Sequence, residues 1–153
     1  MDETNESPIL GGFRAKFQVD EHLVLRTTAW SWSIRPAQAT LGSGVLSLNR
    51  YAARFSDVTA SEMADLAALL TKLEQALQSA FACEAINYLM LMMVDKHVHF
   101  HVIPRYPAGR RFADLEWLDS GWPAMPALSD QQHRERADVL VLIRDRLQAA
   151  CAD

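Results

Sequence analysis

Residues 97–103 read His-Val-His-Phe-His-Val-Ile, so that histidines alternate with apolar residues along the segment. Successive side chains of a β-strand point to opposite faces of its sheet, and such alternation is typical of a strand with one buried face. The pattern predicts that His97, His99 and His101 share one face, with the apolar residues on the other. The apolar face has to pack on a hydrophobic core, and the histidine face is expected to line a cleft or to face solvent.

The rest of the chain predicts further strands and two helices around this segment. Thr59 and Glu62 form a capping-box pattern, and apolar residues then recur at spacings of three and four up to Phe81, which predicts a long amphipathic helix. A second capping-box pattern at Ser129 predicts a final helix. Strand-like patterns cover residues 13–34, 45–48, 86–94 and 97–103.

These elements predict an α+β fold, in which a small antiparallel sheet packs against a long helix and a helical extension follows at the C-terminus. Asp95 and Lys96 separate two apolar strands and predict an antiparallel hairpin, whose second strand is expected to end at Pro104. We divide the 153 residues into three parts. A polar tail covers residues 1–12, a domain covers residues 13–106, and an irregular segment with a C-terminal helix covers residues 107–153 and packs on that domain.

The composition disfavours several classes of protein. The chain has 15 Lys and Arg against 19 Asp and Glu, a formal net charge of −4, which argues against binding to a nucleic-acid polymer. Two cysteines are too few for a disulfide framework, and the acidic start lacks the apolar run of a secretory signal. No apolar stretch approaches the ~18 residues that cross a bilayer. We therefore expect a cytoplasmic protein without a membrane partner.

Three histidines on one strand face are compatible with a metal site. Two imidazoles at positions i and i+2 can bind one zinc ion at about 2.0–2.1 Å, with Asp95 or Glu84 as candidate third ligands. Convergence of all three histidines on one ion is awkward, because the outer two lie roughly 13 Å apart along an extended strand. The metal site therefore stays open as an alternative that uses two of the three histidines.

The same pattern is also compatible with nucleophilic catalysis, in which each histidine has its own role around one extended substrate. Neutral imidazole is a competent nucleophile near pH 7, because its unperturbed pKa is about 6.5. Attack through one ring nitrogen requires the other nitrogen to carry its proton, held by an acceptor. A histidine two residues along the strand can then donate to a phosphate oxygen or to a leaving group.

Residues 97–103 resemble the His-x-His-x-His-x-x signature of the histidine triad (HIT) superfamily, in which x is apolar. The order of predicted elements over residues 20–106 is also similar to the core of that family. The resemblance implies a homodimer that acts as a nucleotide hydrolase or nucleotidyl transferase, at the α-phosphate of a dinucleoside polyphosphate or a nucleoside phosphoramidate. It implies no required cofactor, and a divalent metal ion is expected only as a companion of a polyphosphate substrate.

The resemblance also implies roles for individual residues. His99, the middle histidine, is implied to be the nucleophile that forms a nucleotidyl-histidine intermediate. His101 is implied to contact the phosphate or the leaving group, and His97 to position His99, partly through its backbone carbonyl. Asn87, on the preceding strand, resembles a polar residue that contacts the phosphate side of the pocket.

The sequence departs from the family pattern in two places. Many members carry a Gly-Gln-rich stretch with a Ser or Thr just before the triad, whereas residues 89–96 contain no glycine and no hydroxyl. Many also carry a fourth histidine after a Pro-Gly turn, and residues 40–46 contain no histidine. These departures keep a second function open, that of a nucleotide-binding module with little turnover.

Overall fold

The chain is described by a computed structural model over residues 7–152. Five antiparallel strands form one sheet in the order β1-β2-β3-β5-β4, and two short strands form a separate hairpin. This architecture confirms the predicted α+β fold. The elements are α1 (Pro8–Lys16), β1 (Leu23–Arg26), β2 (Trp30–Ile34), β3 (Gly44–Leu48), α2 (Ala60–Phe81), β4 (Ala85–Leu89), β5 (His99–Arg105), β6 (Arg110–Phe112), β7 (Leu115–Trp117) and α3 (Asp138–Cys151), with a short 3-10 helix at Phe55–Asp57.

The hydrophobic core lies on one face of the sheet, beneath α2 and α3. Val98 and Val102, from the alternating segment, are fully buried in this core, as the period-two pattern predicts. The two large rings of β2 lie on the same side and are fully buried as well. The core cluster includes Trp30, Trp32, Leu46, Leu48, Leu69, Leu73, Leu77, Ile143 and Leu147.

Helix α2 begins and ends where the sequence predicts. The Thr59 hydroxyl accepts a hydrogen bond from the Glu62 amide at 3.2 Å, and the Glu62 carboxylate accepts one from the Thr59 amide at 2.9 Å. The hydrogen bond from Arg50 is the main reason that the pKa of Glu62 is lowered to about 2. After Phe81, Ala82 adopts a left-handed conformation (φ 53°) and ends the helix. None of the helices in residues 7–152 has the length and apolarity needed to cross a membrane.

The N-terminal region differs from the prediction. Residues 1–6 of the expected tail lie outside the described residues, and residues 8–12 are helical rather than a tail. The strand-like reading of residues 13–34 is likewise wrong over its first ten residues, because residues 13–16 belong to α1 and residues 17–22 form turns before β1. Ser7 caps this helix by accepting from the Ile9 amide at 3.2 Å, and Pro8 occupies the first turn, where its missing N–H costs nothing. Leu10 and Phe13 are buried by tertiary packing, which outweighs the weak helix propensity of two adjacent glycines.

The predicted hairpin exists, but its strands are shifted and its loop is longer. Strand β4 ends at Leu89 rather than at residue 94, and β5 begins at His99 and continues through Pro104 to Arg105. The first paired residues are Leu89 and His101. Residues 91, 93 and 94 are exposed and Met92 has a positive φ of 51°, so these apolar residues form a loop.

The region from residue 107 onward contains a hairpin and a shorter helix than the sequence suggests. Strands β6 and β7 lie within the segment that was expected to be irregular. The final helix begins at Asp138 rather than at Ser129. Two features accompany the later start of the helix. His133 adopts a left-handed φ of 55°. The side-chain amide of Gln132 donates to the carbonyl oxygens of Ala39 and Leu118 and accepts from the Leu118 backbone amide.

A buried ion pair attaches this region to the end of β5. The Arg105 guanidinium donates to the Asp119 carboxylate at 2.7 Å, and both side chains are almost fully buried, 5% and 1% exposed. Arg105 also donates to the Ala124 carbonyl at 2.8 Å, and Asp119 accepts from the Tyr106 amide at 3.1 Å. The polar groups of this junction therefore satisfy one another.

We predict that Asp119→Asn lowers the free energy of unfolding by about 3–5 kcal/mol, because it leaves the buried Arg105 charge without its counterion. Urea denaturation of the variant and the wild type measures the difference. Asp145→Asn is the matched control, since its pair with Arg144 is exposed and is worth less than about 1 kcal/mol. Equal losses in the two variants would contradict the structural role of the buried pair.

Candidate active site

The second face of the sheet carries the polar residues of the central strands. Ser47 of β3 pairs with His99 of β5, and Val45 pairs with His101. Because directly paired residues point to the same side of an antiparallel sheet, these four side chains share one face. Ser31 and Ser33 of β2 extend the same rows, since they pair with Ser47 and Val45. The alternation of residues 97–103 thus places the histidines opposite the hydrophobic core, as the sequence predicts.

His99 is held in one tautomer by the residue two positions before it. Its Nδ1 lies 2.6 Å from the backbone carbonyl oxygen of His97. A carbonyl oxygen only accepts, so the proton resides on Nδ1 and Nε2 keeps its lone pair. Burial lowers the pKa of His99, and the bond to the His97 carbonyl opposes this shift only in part. His99 is therefore a neutral imidazole at neutral pH, with Nε2 unprotonated.

His97 has both ring nitrogens engaged. Nε2 donates to the carbonyl oxygen of Leu48 at 2.8 Å, and Nδ1 accepts from the Ala52 amide at 3.3 Å. The Tyr51 ring stacks beside the imidazole, with ring centres 5.9 Å apart. His97 is fully buried, and burial lowers its pKa. This histidine fixes the backbone before β5 and has no nitrogen left for a ligand.

His101 lies next to His99 and is less completely bonded. The two rings meet edge to face, with centres 5.1 Å apart. Nδ1 of His101 is buried and has no hydrogen-bond partner within residues 7–152. Burial, followed by the positive charge of Arg35, lowers the pKa of His101 to about 4. His101 is thus neutral at neutral pH, with a polar atom that a ligand can still satisfy.

Helix α1 covers the histidine face, which the sequence did not predict. The Phe13 ring lies 5.1 Å from that of His97 and 4.8 Å from that of His99. The Phe17 ring, just after α1, lies 5.9 Å from the rings of both His99 and His101. The three histidines are consequently only 0%, 1% and 9% exposed. The expectation of an open cleft is wrong for this conformation, because the aromatic side chains of α1 occupy the space above the triad.

An ion pair holds the end of α1 to the loop before the triad. Lys16 Nζ lies 2.9 Å from both carboxylate oxygens of Asp95. The lysine side chain is half exposed, and the aspartate is mostly buried. Since Asp95 precedes the histidines by two residues, this contact joins the covering helix directly to the candidate site.

Asn87 lies on the histidine side of β4, but farther along the sheet. It pairs with Ile103, two residues beyond His101. Its side-chain oxygen accepts from Arg105 at 2.7 Å. The structure therefore brings the three histidines together, while the hydrogen bond of Asn87 goes to Arg105 rather than to the triad.

Sequence reasoning missed Arg35, which follows the end of β2. Its backbone amide donates to the Ser43 carbonyl at 2.9 Å and continues the ladder between β2 and β3. Among residues 7–152, the hydrogen bonds of its guanidinium go to the carbonyl oxygens of Ala37 and Leu128 and are 3.3 Å long. Nε is buried without a partner in the described part of the chain. The signal that could have revealed it is the polar alternation at positions 31, 33 and 35.

The donor set of the site is a poor fit for the metal alternative. Within residues 7–152, no three His, Cys, Asp or Glu side chains are grouped so that they could hold an ion. Of the candidate third ligands, Asp95 is paired with Lys16. His97 has no free nitrogen, which leaves only His99 and His101 on the strand as donors.

Comparison with known proteins agrees with this geometry. Residues 45–108 match the sequence model of the HIT domain. Over 110 residues the chain is 29% identical to a bis(5'-nucleosyl)-tetraphosphatase (asymmetrical) of Schizosaccharomyces pombe, and this alignment covers 69% of the chain and 60% of the relative's length. The chain thus spans less than two thirds of that relative.

Two solved structures share the fold. A histidine triad protein of Sinorhizobium meliloti matches with a TM-score of 0.65 at 15% identity, over 87% of this chain and 93% of the other. A hypothetical histidine triad nucleotide-binding protein of Sulfolobus tokodaii matches with a TM-score of 0.59 at 16% identity, over 84% of each chain. The histidine pattern, the antiparallel sheet and the domain match agree: residues 45–108 match the HIT domain, and the chain shares the fold of histidine triad proteins.

Proposed function

We propose that this protein hydrolyses a nucleotide conjugate, or transfers its nucleotidyl group, through a covalent intermediate on His99. The substrate class is a dinucleoside polyphosphate or a nucleoside phosphoramidate. The observation that carries the proposal is the 2.6 Å bond from His99 Nδ1 to the His97 carbonyl, which leaves Nε2 unprotonated. The similarity to a tetraphosphatase supports the same reaction class.

The proposed reaction has two displacements at the α-phosphorus. In the first, the lone pair of His99 Nε2 forms a bond to phosphorus, and the bond from phosphorus to the leaving atom breaks with its electron pair on the leaving group. The leaving nitrogen of a phosphoramidate takes up a proton from solvent in this step. In the second, a water oxygen bonds to phosphorus, the Nε2–P bond breaks and returns its electron pair to the imidazole, and the water releases a proton to solvent. Hydrolysis then yields a nucleoside monophosphate. Another acceptor in place of water yields a transfer product.

The neighbouring residues have supporting roles in this proposal. His101 contacts the phosphate or the leaving group, because its ring lies beside His99 and its Nδ1 has no partner in the described part of the chain. His97 positions His99 through its carbonyl oxygen. Asn87 remains a candidate for the phosphate side of the pocket, although Arg105 binds it here. The attack itself requires no metal ion, and a divalent cation enters only with a polyphosphate substrate.

We predict that His99→Ala abolishes turnover of both diadenosine tetraphosphate and adenosine 5'-phosphoramidate, while a chelator leaves the wild-type phosphoramidate activity intact. Because burial lowers the pKa of His99, the acid limb of kcat/KM for the wild type should lie below pH 6.5. Acid quenching with labelled substrate should trap nucleotide on the wild type alone. His133→Gln, remote in sequence from the triad strand, is the matched control and should keep its activity.

The covered triad favours a second candidate, a nucleotide-binding module with little turnover. Both the aromatic cover over His99 and the lack of glycine and hydroxyl groups in residues 89–96 support it. Under this alternative, the wild type and His99→Ala bind AMP alike and neither shows turnover nor a trapped nucleotide. That result would overturn the enzyme proposal for these substrates.

The proposed reaction requires α1 to move, because His99 is 1% exposed beneath Phe13. A groove of about 830 Å³ runs beside the helix, lined by Leu10 and Arg14 of α1 and by Asn49 at the end of β3. No triad histidine lines this groove. Helix α1 borders both the groove and the histidine face, and we propose that its displacement uncovers His99.

We predict that Lys16→Gln raises kcat/KM about two- to fivefold, because loss of a partly exposed ion pair worth about 1 kcal/mol or less favours the displaced helix. Asp95→Asn should have a similar effect, and hydrogen exchange of the α1 amides should become faster in both. Lys72→Gln, on the exposed side of α2, is the control. Unchanged or lower kcat/KM in the first two variants would argue that α1 is a fixed part of the site.

We also propose that the protein is a homodimer joined through β4. This strand is at the edge of the sheet, and an edge strand exposes backbone groups that pair readily with a second strand. The adjoining loop exposes Leu91, Met93 and Val94. Sedimentation should therefore give a particle of twice the 17.2 kDa chain mass, and Met93→Lys combined with Val94→Lys should shift it toward the monomer. A wild type that sediments as a monomer would refute this.

The proposed location is the cytoplasm. Cys83 and Cys151 are free thiols, and burial raises the pKa of both. Both therefore remain protonated at neutral pH and are of low reactivity. This state is compatible with a reducing compartment, where dinucleotides and other nucleotide conjugates are the expected partners.

A further inference from the structure

We propose that Arg35 binds the anionic leaving group of a polyphosphate substrate beside His101, so that the site selects leaving groups that carry phosphate. This inference rests on the proposed function and narrows it, because a phosphoramidate releases a small amine without phosphate. Arg35 would thus select the leaving group, whereas the triad carries out the reaction at phosphorus.

The position of Arg35 on the sheet places it beyond His101 on the same face. Ser33 pairs with Val45, which pairs with His101. Arg35 is two residues beyond Ser33, and its amide continues the ladder to Ser43. Since alternate residues of a strand share a face, the Arg35 side chain leaves the backbone on the histidine side of the sheet. A leaving group that extends from His99 past His101 therefore runs toward Arg35.

No carboxylate within residues 7–152 neutralises the charge of Arg35 through an ion pair. The carbonyl contacts of its guanidinium are all 3.3 Å long. The buried Nε has no acceptor among the same residues, although a buried donor without a partner is costly. Burial also lowers the pKa of Arg35, as expected for a cation with little compensation. An oxyanion is the ligand that satisfies both the charge and the open donor.

His101 is the second unsatisfied group at the same place. Its Nδ1 is also buried without a partner among the described residues. The Arg35 charge is close enough to His101 to lower its pKa further after the effect of burial. Two unsatisfied groups, one cationic and one neutral, therefore border the same part of the face. A phosphate oxygen can accept from both.

Other arginines near the sheet are already paired and do not offer this site. Arg105 binds Asp119, Arg14 binds Asp20, and Arg50 binds Glu62, each at 2.7 Å or less. A carboxylate competes with a phosphate for the same guanidinium, so these three side chains are poor anion receptors. Arg35 differs because its contacts are neutral carbonyl oxygens.

The test compares two substrates with different leaving groups in one set of variants. We expect Arg35→Gln to lower kcat/KM for diadenosine tetraphosphate about ten- to a hundredfold, the loss typical of a charge-assisted hydrogen bond, and to change kcat/KM for adenosine 5'-phosphoramidate less than about twofold. Arg35→Lys should recover part of the loss, because it restores the charge without the planar fork. Arg111→Gln, which alters an exposed arginine of β6, is the matched control and should affect neither substrate.

A misfolded variant would lose kcat/KM equally with both substrates and would have a lower Tm, so the phosphoramidate serves as the control for folding. Equal loss in Arg35→Gln at unchanged Tm would overturn the specificity role. Should the wild type lack turnover, the proposed function fails, and calorimetric binding of ATP and AMP decides the inference by itself. Weaker binding of ATP with unchanged binding of AMP in Arg35→Gln would then support it, and equal affinities in variant and wild type would refute it.

Discussion

The burial of one side of β5 is the constraint on which the rest of the structure depends. Val98 and Val102 belong to the core beneath α2 and α3, and a strand cannot bury one side without presenting the other. A shift of one residue in register would place imidazoles in the core and valines on the opposite face. The pairing of β3 with β5 therefore determines where the histidines lie. The covering helix and the candidate chemistry both follow from that placement.

Covering the histidine face requires neutral imidazoles with bonded nitrogens. The protein meets this requirement through backbone oxygens, since His97 donates to Leu48 and His99 donates to His97. The same bonds that make burial tolerable also fix the tautomer of His99 that leaves Nε2 available. The stability of the covered conformation and the availability of the Nε2 lone pair therefore have a common origin. His101 is the exception, because its buried Nδ1 is unsatisfied within the described residues.

The closed conformation links access to the site with a helix near the N-terminus. Phe13 and Phe17 fill the space above the triad, and the Lys16–Asp95 pair holds the end of that helix to the loop before His97. A single partly exposed ion pair contributes little free energy, and the buried rings of Phe13 and Phe17 contribute more to holding the helix in place. The proposed reaction therefore requires substrate binding energy to displace this cover. The strand positions of the histidines need not change when it moves.

The sequence by itself determined the strand of residues 97–103, its two faces, the capped helix α2 and the α+β class, because each depends on local periodicity or on a cap within four residues. It also singled out the three histidines, whose spacing is local. Only the tertiary structure decided that residues 8–16 form a covering helix, that β4 stops at Leu89, and that Arg35 makes no ion pair within residues 7–152. The position of the covering helix and the surroundings of Arg35 depend on contacts between residues 60 or more positions apart, such as Phe13 with His97 and Arg35 with Leu128. No local pattern encodes such contacts, because the energy that stabilises them exists only after the sheet has formed.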